Sequence, residues 1–234
     1  NLNELILKNL QLNKINLNNG DIIVIAQKII SKAENRYASL KDFKPSDTAK
    51  ELALHINKDP RFIEAVLSQT KKVIRHRNNV LIVEHKLGFV HANAGIDRSN
   101  IDQSDEKILF LPKNPNQSAK RIGKFLESKL KIDISIIISD TMGRAFRNGI
   151  VGFAIGAYNI ECIRDERGSK DIFNNTLQVT QIGVADELAS AASLIMGQTN
   201  EKKPLVIING YKNRRPSENN ADVLIRDEEL DLFR

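Results

Sequence analysis

The stretch Ile134-Ser135-Ile136-Ile137-Ile138-Ser139-Asp140 is almost continuously apolar up to its closing carboxylate. A run of this composition is typical of a strand that is buried on both faces of a sheet. We expect this strand to end at Asp140. A second apolar run, Ile22–Ala26, follows the turn-forming residues 18–21 and predicts another buried strand.

Apolar residues at helical spacing predict five helices. These helices are expected at Leu2–Leu10, from Ser46-Asp47 to Ile56, from Pro60 to Leu67, at Gln117–Leu130 and at Ala185–Met196. Gly197 follows the last of them in a position that favours a left-handed helix cap.

The remaining apolar runs predict strands. Val80–Val83 and Phe89–Ala92 flank a glycine-containing loop and predict an antiparallel hairpin, and Leu177–Ile182 and Leu205–Ile208 predict two further strands. Asn148–Ile160 is punctuated by glycine. Because a hairpin interrupts the alternation of strands and helices, we predict a mixed α/β (α+β) protein with substantial antiparallel pairing. The 234 residues fit one domain or two small interlocked subdomains.

The charge and cysteine content limit the classes of function. Lys and Arg number 35 against 29 Asp and Glu, a net charge of +6, but basic and acidic residues are interleaved along most of the chain. Aromatic residues are only 5% and tryptophan is absent, so few side chains can stack on bases. We therefore expect a site for small anions rather than for nucleic acid. The single cysteine, Cys162, cannot form an internal disulfide and fits a reducing cytoplasm.

Apolar runs in the chain fall far short of the ~20 residues that a membrane-spanning helix needs, so we expect no membrane partner. No secretory signal pattern opens the sequence. The first residue is Asn1 and the two methionines are Met142 and Met196. We therefore expect that a natural segment before Asn1 is missing from this sequence.

The strongest local motif runs from Ser139 to Gly149. Asp140 and the hydroxyl of Thr141 offer adjacent oxygen ligands for a hard divalent cation. Arg144 and Arg147, three residues apart, can address phosphate oxygens. The alternative is a capped strand-to-helix turn with solvated arginines, and the residues alone leave both interpretations open.

Two further motifs carry groups for metal or phosphate binding. In the segment Asn93–Asn100, Asp97 can join Asp140 on a metal and Asn100 can bond a base or ribose, although such a segment alone is more often an ordinary turn. Lys28 and Lys32 would share one helix face if their region is helical, and the alternative is a solvated helix start.

The paired acids of residues 184–187 precede an alanine-rich helix. Acids in a first helical turn usually complement the helix dipole, so we favour a structural role for Asp186 and Glu187.

Taken in order, four blocks resemble the coenzyme F420-0:L-glutamate ligase (F420-0 gamma-glutamyl ligase) family. The blocks are residues 30–34, 92–100, 139–147 and 184–187, and the resemblance runs from about Asn3 to Phe233. It implies one F420-0:gamma-glutamyl ligase domain over residues 1–234, with that family's fold, in an intertwined homodimer. It also implies a GTP-dependent enzyme that adds L-glutamate to coenzyme F420-0 through γ-linked amide bonds, via an acyl phosphate, releasing GDP and phosphate.

The resemblance also implies roles for individual residues. Asp97 and Asp140 would bind the first of two Mg²⁺ or Mn²⁺ ions, and Thr141 and Gln198 the second, with K⁺ as a further cation. Residues that would contact GTP are Gln27, Lys28, Lys32 and Asn100, together with the loop that contains Met196, Gly197, Gln198 and Thr199. We hypothesise that Arg144 and Arg147 act in catalysis by gripping the anionic substrates. Asn35 departs from the family, because many relatives have glycine there.

Two competing functions remain open from the residues. A different metal-dependent ligase or kinase would keep Asp97 and Asp140 but act on another acid. A non-catalytic RNA-binding module would use the basic surface and bind with a steep dependence on salt.

Overall fold

The computed structural model of the chain describes residues 1–101, 106–212 and 214–233. The chain forms two compact units. The first unit comprises Asn1–Gln27, Asn114–Arg144 and Gly149–Arg226, and the second comprises Lys28–Lys113, Ala145–Asn148 and Asp227–Arg234.

A four-stranded mixed sheet forms the centre of the first unit. Its strand order is β11 (Leu205–Ile208), β1 (Ile22–Ala26), β7 (Ser135–Arg144) and β8 (Arg147–Tyr158). β1 lies parallel to β7 and antiparallel to β11. The side chains of residues 22–25 and 136–138 are all fully buried, which confirms the prediction of two strands covered on both faces.

Helices cover both faces of this sheet. α6 (Val184–Met196) packs on Ile22, Val24 and Ile137 in one apolar cluster. On the other face α5 (Pro115–Leu130) brings Gly123 against Ile136, and α1 (Leu2–Leu12) contacts α5. Among the described residues, none of the helices is long and apolar enough to cross a membrane.

Side chains of the two covering helices bind the backbone of β8, which is an edge strand. Asp186, in the first turn of α6, accepts a hydrogen bond from the backbone N–H of Ala154 (2.8 Å). Asn116, in the first turn of α5, accepts one from Ala157 (3.0 Å). Burial raises the pKa of the Asp186 carboxyl above its usual value. Asp186 thus has the structural role that we favoured. The helix dipole alone, however, does not predict its hydrogen bond to the sheet.

The described residues of the second unit form two small antiparallel sheets and three α-helices. The sheets pair β2 (Tyr37–Ser39) with β6 (Lys107–Leu109), and order β3 (Thr70–Arg77), β4 (Val80–His85) and β5 (Val90–Ala92) side by side. The helices are α2 (Gln27–Ala33), which begins at the last residue of the first unit, α3 (Asp47–Ile56) and α4 (Pro60–Ser68). α3 and α4 share an apolar core with β4. A remaining pair of short strands, β9 (Arg164–Asp165) and β10 (Gln181–Ile182), lies in the first unit.

Most sequence-based elements are confirmed, including the five helices, the hairpin of β4 and β5, and the mixed α/β class with antiparallel pairing. Local signals mark the helix starts correctly. Ser46 caps α3 by accepting a hydrogen bond from the N–H of Ala49, and Pro60 occupies the first turn of α4.

The prediction that the strand after Ile134 ends at Asp140 is wrong. β7 continues to Arg144 and pairs with β8, so the residues from Asp140 onward lie on a strand and not on a strand-to-helix turn. Along β7 the side chains are buried at residues 135–139, half-buried further on and exposed at the end of the strand. The strand therefore continues beyond its apolar part, where the sequence loses the hydrophobic signal.

The glycine-punctuated region 148–160 is part of β8, and its glycines have a packing role. A Cβ at Gly152 would lie 2.5 Å from the carbonyl oxygen of Ala189 on α6, and one at Gly156 would lie 2.5 Å from the backbone of Pro115 on α5. Glycine thus allows both helices to approach the strand closely.

Two other strand predictions need correction. Of the expected strand Leu177–Ile182 only Gln181–Ile182 forms; Val179 is 85% exposed and has no core to pack against. β3 was not predicted at all. It carries five basic or histidine side chains, most of them exposed, and lies at the edge of its sheet, where charged residues discourage pairing with other chains.

Cys162 is the buried thiol of the first unit. It belongs to the apolar cluster beneath α6, and burial raises its pKa to about 12. The thiol therefore stays protonated near neutral pH and is unreactive, because the thiolate is the nucleophilic form.

Replacing Gly123 by alanine tests the packing of α5 on the sheet. Alanine favours a helix over glycine by about 1 kcal/mol. Here, however, a Cβ would lie 2.2 Å from a ring carbon of Tyr158, whose hydroxyl is bonded to Glu127 and cannot shift freely. We expect Gly123→Ala to lower the free energy of unfolding by about 1–3 kcal/mol, the usual cost of overpacking, measured by urea denaturation. Gly143→Ala is the control, because a Cβ there meets nothing within 4 Å. A Gly123→Ala protein as stable as this control would contradict the packing.

Candidate functional site

The carboxyl end of β1 places two predicted site residues side by side, one after β1 and one on β7. Ala26 pairs with Ser139 in parallel register, and the next residues are Gln27 and Asp140. Gln27 is 4% exposed and Asp140 is half-buried. Ligands of open α/β sheets bind outside the carboxyl ends of parallel strands, so this edge is the candidate site in the first unit.

The loop that follows α6 reaches the same edge. β11 runs antiparallel to β1, and the N–H of Ala26 donates to the carbonyl of Pro204 at 2.9 Å, just before β11 begins. The loop between Met196 and Pro204 therefore lies beside Gln27 and the end of β1. Gln198 and Thr199 are exposed in this loop, whereas the Met196 side chain packs in the core and leaves only its backbone for the edge.

The start of this loop depends on glycine. Gly197 has φ 71° and ψ −178°, so φ is positive as predicted but the residue lies outside the left-handed helical region. A Cβ there would lie 2.1 Å from the carboxyl carbon of Glu201. That carboxylate accepts hydrogen bonds from the N–H and the hydroxyl of Thr199, so Glu201 closes the loop on itself.

Asp140 and Thr141 lie on consecutive positions of β7. Successive side chains of a strand point to opposite faces, so these two oxygens are not presented side by side to one ion, as a turn would present them. Arg144 is the last residue of β7 and Arg147 the first of β8; both are exposed, at the two ends of a two-residue turn.

Asp97 is the centre of a cluster in the second unit. Its Oδ2 forms an ion pair with Lys28 Nζ at 2.6 Å. Its Oδ1 accepts hydrogen bonds from the N–H and the hydroxyl of Ser99 at 2.7 and 2.8 Å. Lys28 Nζ also donates to the Ser99 hydroxyl (2.9 Å). Lys32 Nζ, one turn further along α2, donates to the carbonyl of Asn100 at 2.7 Å. The prediction that Lys28 and Lys32 share a helix face is confirmed, and the structure brings both to the segment that carries Asp97 and Asn100.

A strained turn positions this segment. Asn93, Ala94 and Gly95 have successive φ values of 50°, 54° and 64°, and Ala94 is fully buried. A left-handed conformation costs a non-glycine residue roughly 1–2 kcal/mol, and such strain clusters at functional sites. Two backbone hydrogen bonds between Asp97 and Leu109 then fix the residues that follow. Asn35, the departure from the family, also has a positive φ (52°), which asparagine tolerates better than most residues.

Several basic side chains lie on the segment Asn93–Asn100 or bind to it. Its single carboxylate is that of Asp97, while Arg98 lies on the segment and Lys28 and Lys32 bind to it. A further lysine that the sequence analysis missed, Lys58, donates to the side chain of Asn93 at 2.9 Å. Lys58 lies 35 residues away in the chain, so no local motif could reveal this contact.

The side-chain atoms of these residues can be compared with the ligands that a metal ion requires. Among residues 1–101, 106–212 and 214–233 no group of three or more His, Cys, Asp and Glu side chains is arranged to hold a metal ion. Mg²⁺ in nucleotide-using enzymes is commonly bound by one or two carboxylates together with substrate phosphates, and a carboxylate with hydroxyl and amide oxygens suits such an ion. The residues therefore fit a cation that a nucleotide helps to hold.

Comparison with known proteins identifies similar sequences over nearly the whole chain. The model of a family described as F420-0:Gamma-glutamyl ligase matches residues 1–210. The chain is 44% identical to the coenzyme F420:L-glutamate ligase of Methanothermobacter thermautotrophicus over 216 residues, 92% of this chain and 85% of that protein. It is 42% identical to the enzyme of the same name from Methanocaldococcus jannaschii, over 93% of this chain and 86% of that protein. The enzyme of that name from Methanosarcina mazei is 41% identical, with 94% and 86% covered.

Replacing Gly95 by alanine tests the strained turn. A Cβ there would lie 2.9 Å from Cδ1 of Leu111 and would also have to accept a positive φ. We expect Gly95→Ala to destabilise the protein by about 1–3 kcal/mol more than Gly168→Ala, in urea denaturation. Gly168 is the matched control, because its φ is also positive but a Cβ meets nothing within 4 Å. Equal losses in the two variants would mean that Leu111 does not constrain the turn.

Proposed function

The chain belongs to the F420-0:gamma-glutamyl ligase family, and on that basis we propose that it uses GTP to add L-glutamate to coenzyme F420-0 through γ-linked amide bonds. F420-0 would be activated as an acyl phosphate, and GDP and phosphate would be released. The observation that carries most weight beside the family match is the set of three lysines that bind to the segment Asn93–Asn100. GTP, F420-0 and glutamate are all anions, so an enzyme that joins them needs basic side chains.

The chemistry explains why a triphosphate is needed. A free carboxylate is a poor acyl donor, so the terminal carboxylate oxygen of F420-0 first attacks the γ-phosphorus and the bond to the GDP oxygen breaks. The amine of glutamate, once deprotonated, then attacks the acyl carbon, and the bond to phosphate breaks as the amide forms. Both steps place negative charge on phosphate oxygens, which the site must neutralise.

The proposal assigns this neutralisation to basic residues of the second unit and to bound cations. Lys28 and Lys32 lie on one face of α2 and would bind phosphate oxygens, together with Asn100, Gln27 and the loop of Gly197, Gln198 and Thr199. Asp97, Asp140, Thr141 and Gln198 would hold Mg²⁺ or Mn²⁺, which supplies further positive charge when bound, and K⁺ is a further cation of the proposal. Because Lys28 pairs with Asp97, the lysine must release Oδ2 if a cation takes that oxygen.

The family's fold and its intertwined homodimer are also part of the proposal. Large apolar side chains that the described chain leaves exposed support a second copy. Leu194 on α6 is 84% exposed and Phe146, in the turn between β7 and β8, is 93% exposed. Such residues are more often found at interfaces than isolated in water.

GDP release from GTP tests the proposed reaction. We expect release to require F420-0, L-glutamate and either Mg²⁺ or Mn²⁺, to stop on addition of a chelator and to resume when the cation is restored, as measured by chromatography of the nucleotides. Release that does not depend on F420-0 would contradict the assignment of the acid substrate.

Variants of the two aspartates provide the matched test. Asp97→Asn and Asp140→Asn should lower the rate by more than the roughly 10–100-fold typical for loss of a residue that merely supports a metal ligand. Asp47→Asn is the control, since the Asp47 side chain is 99% exposed and pairs only with Lys50. If either aspartate variant is as active as the control, that aspartate does not bind the cation.

Arg144→Ala tests whether Arg144 binds the anionic substrates, as proposed. Loss of a hydrogen bond to a charged group costs about 1.5–3 kcal/mol, so we expect the KM for F420-0 or for L-glutamate to rise roughly tenfold or more. Arg144 is exposed, and the melting temperature should not change. Arg144→Lys should recover only part of the loss, because lysine cannot make the bidentate contact. Unchanged values of both KM would show that Arg144 has no such role.

A further inference from the structure

Lys58 occupies a rigid turn between α3 and α4. Asn57 ends α3 in the left-handed conformation, with φ 54° and ψ 54°. The N–H of Lys58 donates to the carbonyl of Ala53 at 3.1 Å. Asp59, the next residue, caps α4 through the N–H of Arg61. The backbone on both sides of Lys58 is therefore fixed, and its side chain is directed by the turn.

The ammonium group of Lys58 has only uncharged partners within the described part of the chain. Its Nζ donates to the Asn93 amide oxygen at 2.9 Å and lies 5.2 Å from the centre of the Phe62 ring. The neighbouring carboxylate of Asp59 does not compensate it, because that group is bound by the Arg61 guanidinium at 2.7 Å. Among the described residues the charge of this half-buried lysine therefore has no carboxylate partner.

A second positive charge lies near Lys58. Burial lowers the pKa of Lys58, and the positive charge of Arg98 lowers it further.

The Lys58 side chain also reaches the segment that holds the proposed phosphate and cation residues. Asn93, its partner, begins the strained turn, and Asp97 follows four residues later with Lys28 on it. Lys58 further lines a surface cavity of about 580 Å³, whose other lining residues belong to α3, its C-terminal end and the start of α4. Space for a ligand group therefore adjoins this lysine.

We propose that Lys58, held by Asn93, binds a carboxylate or phosphate group of one of the anionic substrates. This inference rests on the proposed function. Carboxylate and phosphate oxygens share the chemistry that an ammonium and a guanidinium recognise. GTP, F420-0 and L-glutamate are the three possible sources of the group, and the experiment separates them.

Lys58→Met tests the proposal, because methionine keeps much of the apolar stem and removes the charge. Without ligand, the melting temperature of the variant should be no lower than that of the wild type, since a repelled and half-buried cation has been removed. With ligand, the KM for one of the three substrates should rise about tenfold or more while kcat changes less. Lys58→Arg should restore part of the affinity. The substrate whose KM responds identifies the bound group.

Lys44→Met is the matched control, because Lys44 is an exposed lysine of the same unit. A structural role for Lys58 predicts the opposite result: a lower melting temperature without ligand and the KM values of the control, which would overturn the proposal.

A second measurement distinguishes a failure of the inference about Lys58 from a failure of the proposed reaction. Inorganic phosphate and L-glutamate should each be titrated into the wild type, Lys58→Met and Lys44→Met, with the melting temperature as readout. A wild type that binds these anions but does not turn over GTP refutes the proposed reaction alone. If Lys58→Met gains the same stability from both anions as Lys44→Met and its KM values are unchanged, the inference about Lys58 is refuted.

Discussion

The parallel pairing of β1 with β7 is the constraint on which the first unit depends. Both strands are buried on both faces. A shift of either strand by one residue would move each of its side chains to the opposite face of the sheet. Since both strands run the same way, Gln27 lies beside Asp140 where β1 ends. The antiparallel β11 then brings the loop after α6 to that end of β1 through the bond between Ala26 and Pro204. Burial in the core thus determines which polar groups meet outside it.

In the second unit the corresponding constraint is electrostatic. The segment Asn93–Asn100 is held in a costly backbone conformation and surrounded by basic side chains, with Asp97 as its one carboxylate. The backbone conformation costs free energy in the free protein. In the proposed function, bound anions would interact favourably with the basic side chains and so offset part of that cost.

The elements that sequence reasoning predicted correctly are those with a local physical signal. Ser46 and Pro60 mark helix starts by capping and by fixed φ, and the isoleucine runs mark buried strands. The errors arose where tertiary contacts replace local signals. β7 extends beyond its apolar part because β8 pairs with it, and the glycines of β8 are explained by helices that are distant in sequence. In the site, the four-residue spacing of Lys28 and Lys32 was enough to predict that they share one face of α2. The contact of Lys58 could not be predicted, since its partner Asn93 belongs to another element.

The state of Cys162 has a practical consequence. With its thiol buried and protonated near neutral pH, the wild-type chain should behave towards maleimides and similar reagents as a protein without cysteine. A single cysteine introduced at an exposed position such as Asn200 would then carry a fluorophore or spin label at a unique place. The loop after α6 can in this way be observed during turnover without first removing a native thiol from the core.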